Sequence, residues 1–528
     1  MRKIFYLLTA IGLLSSCNSL LDTESEVSVT YENYFETEKD LESITYQMHA
    51  YIKESLPGNS MQTWLGERAD CYKTDIVMQR NLNRDYYLSS NPMVRWGDLY
   101  NVIYMANVML DNIYRAEGNV APDRIHFHIG QACFGKGLGY LELARRWGDA
   151  VITVNSTTTS AYAKSPALEV LDTAISNAKR AYVLLPVFEQ MKDLSGVNIK
   201  SKQFGSKGAA AALLVHAYAW KGSMIDLYEM NNWQTARACY DSAIYYATQL
   251  IEGKAGDYAL EDTPEDLVVN SLPGRMAGTA KEAIFEYDTD YEMNEFASCL
   301  VPAYVLGSIG YPVKYGMTQS DHVFDFDMGQ ANMLFNTTVR EMYPDGDLRR
   351  DAYFYDFEGL EAEDEMEVTA GCAYLYKWRE EGTTPVEGGF VSSTLKSNYV
   401  YWRLADIYLL RAECYQKNGN VLAQDDLNAI RRRALAEEYP AANDTEGLQM
   451  AIFKEREKEL LGEGHRYYDV IRNGYYSWAL DGDDPTRGFS ALTIQDVKDG
   501  ALYLPVGSEA FVRNNKMTQN RYWVKFIQ

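Results

Sequence analysis

The densest concentration of chemically reactive side chains lies at residues 451–474, AIFKEREKELLGEGHRYYDVIRNG. Acidic, basic and imidazole groups this close together are typical either of an active site or of an ion network that joins helices. On a helix, Glu455, Glu459 and Glu463 share one face, because residues four apart lie one turn apart. Arginines are interspersed with these acids, so the opposite charges can neutralise one another. The pattern predicts a structural ion network on a helix that ends at Gly464.

Other candidate motifs are incomplete. The segment GQACFGKG (130–137) resembles a phosphate-binding loop, but Gly137 stands where serine or threonine would hold magnesium. His126 and His128 form an H-x-H pair without a third metal ligand nearby. No G-x-S-x-G motif occurs, and no cysteine has an evident catalytic partner. We therefore expect no catalytic residues, no metal site and no cofactor; the sequence neither indicates nor excludes a structural calcium ion.

The composition restricts the class of ligand. The chain has 528 residues, a formal net charge of −24 and 41 tyrosines. Such a negative surface repels phosphate backbones, so nucleic-acid binding is not expected. A neutral, hydroxyl-rich ligand is compatible with this charge, and tyrosine offers it a flat apolar ring with a polar tip.

The first residues have the features of a lipoprotein signal peptide. Arg2 and Lys3 precede an apolar run at 4–14, which is too short to span a bilayer. The run leads into LLSSC, small residues before a cysteine. This pattern predicts a signal peptide at residues 1–16 and lipidation of Cys17, which would anchor the mature protein to a membrane. No later segment has the length and apolarity of a membrane span.

Helical periodicity dominates the rest of the chain. One predicted stripe contains Leu168, Leu171, Ile175, Ala178, Tyr182 and Leu185. Others contain Trp233, Ala236, Tyr240, Ala243, Ala247 and Leu250; Ile103, Ala106, Leu110 and Ile113; and Trp402, Ala405, Leu409 and Ala412. The stripes come in pairs at roughly 136–185, 207–251 and 401–434, each about the length of a tetratricopeptide repeat. Between about 255 and 400, Gly, Pro, Asp and Tyr cluster, and a loop-rich insertion is predicted.

Several ordered motifs resemble the SusD/RagB family of outer-membrane nutrient-binding lipoproteins. LLDTESEVSVTYENYFETEKDLE is similar to the family's opening, and WGDLYNVIYMANVMLDNI to its Trp-Tyr-Asn helix. GQACFGKGLGYLELARRWGDAVI and YVYWRLADIYLLRAECYQKNGN with LNAIRRRA resemble later helices. KEREKELLGEGHRYYDVIRNG and LYLPVGSEAFVRNNKMTQNRYW resemble the C-terminal motifs. The insertion matches only loosely, and Lys136-Gly137 stands where the family often has Arg-Ala.

The resemblance implies a mainly α fold, a right-handed superhelix of tetratricopeptide-like helix pairs. The scaffold would cover about 35–255 and 400–475 of a single domain, 17–528, with a variable ligand-binding insertion at about 255–400. The protein would be lipid-anchored on the outer face of the outer membrane. There it would bind oligosaccharide or polysaccharide and deliver it to a SusC-like TonB-dependent transporter, without catalysis.

The resemblance also implies where the ligand binds: just before and within the Trp-Tyr-Asn helix, and in the insertion. The corresponding candidates are Asp70, Tyr72, Arg80, Trp96, Asn101, Tyr304, Tyr311 and Tyr315. Trp96 and Asn101 could equally be core or helix-cap residues. Asp70 could cap a helix and Arg80 could be solvated. Tyr311 lies between glycine and proline and is the best candidate for an exposed ring.

Three alternatives stay open from the sequence. A peptide-binding member of the same family would share the fold and anchor. A surface glycosidase would use two carboxylates facing across a cleft, one with a raised pKa. A scaffold that binds only other proteins would use the insertion as an interface.

Overall fold

The computed structural model describes residues 34–55, 95–228, 233–272, 280–287, 334–362, 372–373, 376–377, 381–386, 389–395, 398–479, 491–512 and 514–525. Among these residues, no helix has both the length and the apolar composition needed to cross a membrane.

Six long helices form the N-terminal half of the described chain. They are α1 Glu38–Ser55, α2 Gly97–Asn112, α3 Pro122–Trp147, α4 Ala167–Leu184, α5 Lys207–Tyr228 and α6 Trp233–Ile251. Local sequence explains the ends of α3, because Pro122 occupies its first turn and Gly148 follows its last residue with φ of +73°.

The C-terminal half contains shorter helices. They are α7 Pro264–Asp266, continued by a π-helical turn at Leu267–Ser271, α8 Asn336–Met342, α9 Arg349–Tyr353, α10 Phe357–Ala362, α11 Leu404–Lys417, α12 Ala423–Arg433, α13 Leu448–Glu459, α14 Arg466–Asn473, α15 Tyr476–Ala479, α16 Ile494–Lys498 and α17 Arg521–Val524. Short 3₁₀ turns lie at Ile113–Ala116, Phe188–Gln190 and Ser508–Phe511.

The described strands form three two-stranded antiparallel ladders. β1 Ala283–Tyr287 pairs with β6 Tyr399–Arg403, β2 Leu334–Phe335 with β3 Cys372–Ala373, and β4 Glu381–Val386 with β5 Gly389–Leu395. Every residue of β1 and β6 is buried, as expected for a ladder covered on both faces. This ladder brings together two segments more than a hundred positions apart, one near each end of the predicted insertion.

The helices stack in successive pairs. α3 packs against α4, α5 against α6, and α11 against α12; α4 also contacts α5, and α6 contacts α11. The chain is therefore mainly α and built from a row of helix pairs, which confirms the predicted fold class. Within α3, Gly137 lies where a side-chain Cβ would come within 3.1 Å of the Ala174 carbonyl oxygen of α4. GQACFGKG is therefore part of a packed helix rather than a phosphate-binding loop.

The predicted stripes form the contacts between these helices. In α4, Leu171, Ile175 and Ala178 are buried, and in α6 Ala236, Ala243 and Leu250 are buried. The four glycines of α3 and the alanines of α4 and α5 allow close approach of helices, which is why the core mixes small residues with large aromatic ones.

Three predicted boundaries were wrong. The first pair begins at Pro122 rather than near residue 136. Trp402 lies on β6, since pairing with β1 extends to Arg403 and α11 begins only at Leu404. α13 ends at Glu459, five residues before Gly464, and Gly462 (φ +76°) already lies in the turn that follows.

Candidate functional site

One face of α2 is open to solvent near its N-terminus. Asn101 and Tyr104 lie on this face, one turn apart, and Tyr104 is 52% exposed. The opposite face packs against α1 and α3. Its buried apolar residues are Leu99, Val102, Ile103, Ala106 and Met109. The core therefore fixes the helix that carries the two exposed side chains.

The loop that follows α3 is hydrogen-bonded along α2. The Tyr100 hydroxyl donates to the Val151 carbonyl at 2.9 Å and accepts from the Val151 N–H at 2.8 Å. The Asp111 carboxylate accepts from the N–H and the hydroxyl of Ser156, both at 2.7 Å. Burial raises the pKa of Tyr100 well above its ordinary value, so its hydroxyl stays protonated. These bonds hold the exposed face of α2 in one arrangement before any ligand binds.

The exposed pair suits a neutral, hydroxyl-rich molecule. The Tyr104 ring offers an apolar face for stacking, and the Asn101 amide offers two donors and an acceptor. Arg95 and Asp98, whose side chains are 56% and 46% exposed, lie 3.8 Å apart at the start of the same helix. We call the surface made by Arg95, Asp98, Asn101 and Tyr104 the α2 face.

The structure describes two of the eight predicted ligand contacts. Trp96 is 4% exposed, and its ring centroid lies 5.5 Å from that of Tyr100 and 6.2 Å from that of Trp147. Of the two roles that the sequence left open for Trp96, core packing is the one that its position supports. Asn101 is exposed, as a ligand contact must be.

The other predicted positions lie outside the described residues and stay predictions. They are Asp70, Tyr72 and Arg80 before α2, Tyr304, Tyr311 and Tyr315 in the insertion, and Cys17 at the N-terminus.

Sequence reasoning missed Tyr104, although a signal for it existed. The predicted stripe on this helix includes Ile103 and Ala106, and Tyr104 lies off that stripe and three residues after Asn101. An aromatic residue off the apolar stripe of an amphipathic helix is expected to face solvent.

The acidic stretch forms a buried ion network with cations from distant segments. Its members, which we call the Glu459 network, are Glu282, Asp347, Arg349, Lys377, Arg403, Arg431, Arg433, Asp444, Glu455, Glu459 and Glu463. Glu459 pairs with Arg403 at 2.7 Å and with Arg433, and its other oxygen lies 3.4 Å from Arg349. Glu463 lies beyond the end of α13 yet joins the network through Arg403 at 2.7 Å.

Glu455 and Glu459 of this network are buried and ionised. Burial alone would raise the pKa of Glu455, but Arg349, Lys458 and Arg431 outweigh that effect and lower it to about 2. Burial alone would also raise the pKa of Glu459, but the charges of Arg433 and Arg403 lower it. A general acid needs a proton near neutral pH and contact with substrate. The predicted structural role of the acidic stretch is therefore confirmed.

The two histidines of the H-x-H pair face different surroundings on α3. His126 is exposed, whereas the Nδ1 atom of buried His128 lies 2.9 Å from the Thr45 hydroxyl of α1. In the described part of the chain, no group of three His, Cys, Asp or Glu side chains is arranged to hold a metal ion. Three cysteines, Cys133, Cys239 and Cys414, are buried as free thiols.

Comparison with known proteins gives consistent relatives across the chain. SusD-like protein P38 of Formosa agariphila is 22% identical, over 98% of this chain and 97% of its own length. The crystal structure of a SusD homolog from Bacteroides thetaiotaomicron superposes with a TM-score of 0.70 at 19% identity, over 93% of this chain and 99% of the other. A laminarin binding SusD-like protein superposes with a TM-score of 0.61 at 20% identity, over 92% and 99%.

Two family models match consecutive parts of the sequence. The model described as "Starch-binding associating with outer membrane" matches residues 20–219. The model described as "SusD family" matches residues 218–523, which is more than half of the chain. The chain belongs to the SusD family.

Proposed function

We propose that this protein is a non-catalytic, surface-exposed lipoprotein of the outer membrane that captures oligosaccharides and delivers them to a SusC-like TonB-dependent transporter. The family match over nearly the whole chain carries this proposal. The description of the N-terminal family model names starch binding and outer-membrane association, and a structural relative is named for laminarin binding. The chemistry of the α2 face suits such a ligand.

The α2 face supports a specific mode of capture. A sugar ring stacked on Tyr104 would gain roughly 1 kcal/mol, and Asn101 would bond the ring hydroxyls. A site with few such contacts binds with roughly micromolar to millimolar affinity. Such an affinity fits capture followed by release to a transporter. Asp70, Tyr72, Arg80, Tyr304, Tyr311 and Tyr315 are proposed as further contacts.

The first test is binding of soluble protein lacking residues 1–17 to a panel of glycans that includes laminarin and starch. We expect binding by affinity electrophoresis and calorimetry, and no new reducing ends on product analysis. The Tyr104→Ala variant should bind the same glycan roughly 5- to 10-fold more weakly, because it loses the stacking surface.

A matched control is Tyr46→Ala, which removes a tyrosine of similar exposure, 49%, from α1. It should bind as the wild type does. Equal losses in both variants would show that the α2 face is not the site. Cleavage of the glycan would replace the proposal with a glycosidase, and binding of peptides alone would favour the peptide-binding alternative.

Anchoring is tested separately through Cys17. The Cys17→Ala variant should lose acylation, so metabolic labelling with a fatty acid should disappear and the protein should leave the outer-membrane fraction. Replacement of Cys71, another cysteine of the N-terminal region, should leave labelling intact. Labelling that survives in Cys17→Ala would refute the anchor, and failure of the transporter to co-purify with wild-type protein would refute the partnership.

A further inference from the structure

A groove of about 460 Å³ lies between α3 and α4. It is lined by His126, Ile129, Lys179, Arg180, Val183 and Leu184. Ile129 and Leu184 are half-buried and form apolar walls, while His126 and Arg180 are exposed. The groove therefore combines apolar walls with nitrogen donors, and its volume suits a small ligand or one unit of a larger one.

Close packing at one position shapes this groove. A Cβ on Gly130 of α3 would come within 2.7 Å of the Leu185 side chain, at the C-terminal end of α4. Because Gly130 has no side chain, the end of α4 can approach α3 closely. The groove residues of both helices lie immediately beside this contact, so well-packed backbone supports them.

The charge of the groove is opposite to that of the protein. The chain carries a net charge of −24, yet in the described residues neither Lys179 nor Arg180 has a carboxylate oxygen within 4.0 Å. Asp172, whose charge acts on Lys179, is paired with Lys221 at 2.6 Å. Arg180 lies against the thiol of Cys133. Two cations without acidic partners in one concave surface attract an anion.

A tyrosine surface lies beside Lys179 and is formed by half-buried Tyr182 and Tyr246 and exposed Tyr245, while Tyr218 of α5 is buried. The Lys179 ammonium lies 5.6 Å from the ring centroid of Tyr218. Tyr246 contacts Tyr218, Tyr182 and Tyr245, with ring centroids 6.2, 5.3 and 5.0 Å away. A hydrogen bond to the Tyr218 hydroxyl raises the pKa of Lys179, so the amine stays charged. Aromatic rings beside donors are the combination that sugar rings require.

We propose that this groove is a second carbohydrate subsite that takes an acidic sugar, with Lys179 and Arg180 bound to its anion. The inference rests on the proposed glycan-binding function and adds a ligand class to it. The anion is a carboxylate or a sulfate ester, and Arg180 can donate two parallel hydrogen bonds to either group. The apolar walls and the tyrosine surface favour a saccharide over an acidic peptide, which would need no flat apolar contact.

The test measures binding of trigalacturonate, a sulfated galacto-oligosaccharide, a neutral glycan and hexaglutamate to the chain lacking residues 1–17. We expect at least one acidic saccharide to bind, and its affinity to fall as salt rises. The carboxylate and sulfate probes distinguish the two anions. The double variant Lys179→Gln, Arg180→Gln should bind the acidic saccharide at least about ten-fold more weakly, because two charge-assisted hydrogen bonds are lost.

The matched control is Arg432→Gln, Lys454→Gln, which removes two exposed cations elsewhere. It should bind acidic and neutral glycans as the wild type does, and circular dichroism should show both double variants folded. If the neutral glycan binds and neither acidic saccharide does, this inference is overturned and the proposed function stands. Binding of hexaglutamate as tight as that of the saccharide, or equal losses in the two double variants, would also overturn it. Failure of every glycan to bind would overturn both proposals.

Discussion

Replacing Glu459 with alanine should lower the free energy of unfolding by about 3–5 kcal/mol. This carboxylate pairs with Arg403 and Arg433 and lies 3.4 Å from Arg349, and all four side chains are buried. Without it, the N–H donors of Arg403 and Arg433 that face Glu459 lose their acceptor inside the protein. Glu282 and Glu463, the other acids that pair with Arg403, already accept from its other N–H groups and so cannot replace Glu459.

The measurement is chemical denaturation at pH 7.5, with Glu446→Ala as the control. Glu446 pairs with Lys454 at the surface, where both side chains are roughly half exposed. Surface pairs of this kind contribute about 0–1 kcal/mol. If Glu459→Ala costs no more than Glu446→Ala, the Glu459 network does not stabilise the fold as its geometry indicates.

The second large effect is a loss of stability in acid that begins near pH 6.5. Four buried histidines, His49, His128, His216 and His465, have lowered pKa values because burial disfavours the imidazolium form. The pKa is about 4 for His49 and His465 and about 3 for His128. An unfolded histidine titrates near 6.5. The unfolded chain therefore binds protons first, and stability falls as the pH drops from about 6.5 towards 4.

Carboxylates add a further loss at lower pH. Burial would raise the pKa of Glu413, but Arg472 and Lys417 lower it to about 2, as the arginines do for Glu455. An unfolded glutamate titrates near 4.3. The stabilising charge of these groups is fully present above that value and is lost as the pH falls towards 2. As the pH falls, the loss of stability caused by the histidines therefore comes first, and the loss caused by the carboxylates follows.

Unfolding titrations from pH 7.5 to 3 measure both stages. Each buried histidine contributes a slope of up to about 1.4 kcal/mol per pH unit between its two pKa values. The His49→Gln variant should lose stability less steeply between pH 6.5 and 5, while His126→Gln, at an exposed position, should match the wild type. A free energy of unfolding that stays constant from pH 7.5 to 5 would contradict this explanation.

Local patterns predicted the helices well because each signal lies within one element. The stripe that includes Leu171, Ile175 and Ala178 covers five turns of α4, and the interspersed charges of 451–474 indicated neutralisation rather than catalysis. Four positions at Trp402, Ala405, Leu409 and Ala412 could not separate a helix from a strand that continues into one. The pairing of Trp402 with β1 shows that this residue belongs to the strand.

Partners that are distant in sequence could not be predicted. Arg403, Lys377 and Arg349 are 56, 82 and 110 positions from Glu459, and no local pattern links them. The candidate site on the α2 face could likewise be predicted only where its signal is local. The helix that carries Asn101 was identified from its motif, but the exposure of Tyr104 and the burial of Trp96 depend on how α2 packs against its neighbours.

The Glu459 network also has a consequence for biosynthesis. Its cations at Arg349, Arg403 and Arg433 emerge from the ribosome before α13 supplies Glu455 and Glu459. A nascent or prematurely terminated chain that stops before residue 448 therefore lacks Glu455, Glu459 and Glu463, which pair with these arginines in the core. We expect such chains to be cleared by proteolysis. The C-terminal motif would thus act as a check on completeness, so that only full-length copies persist.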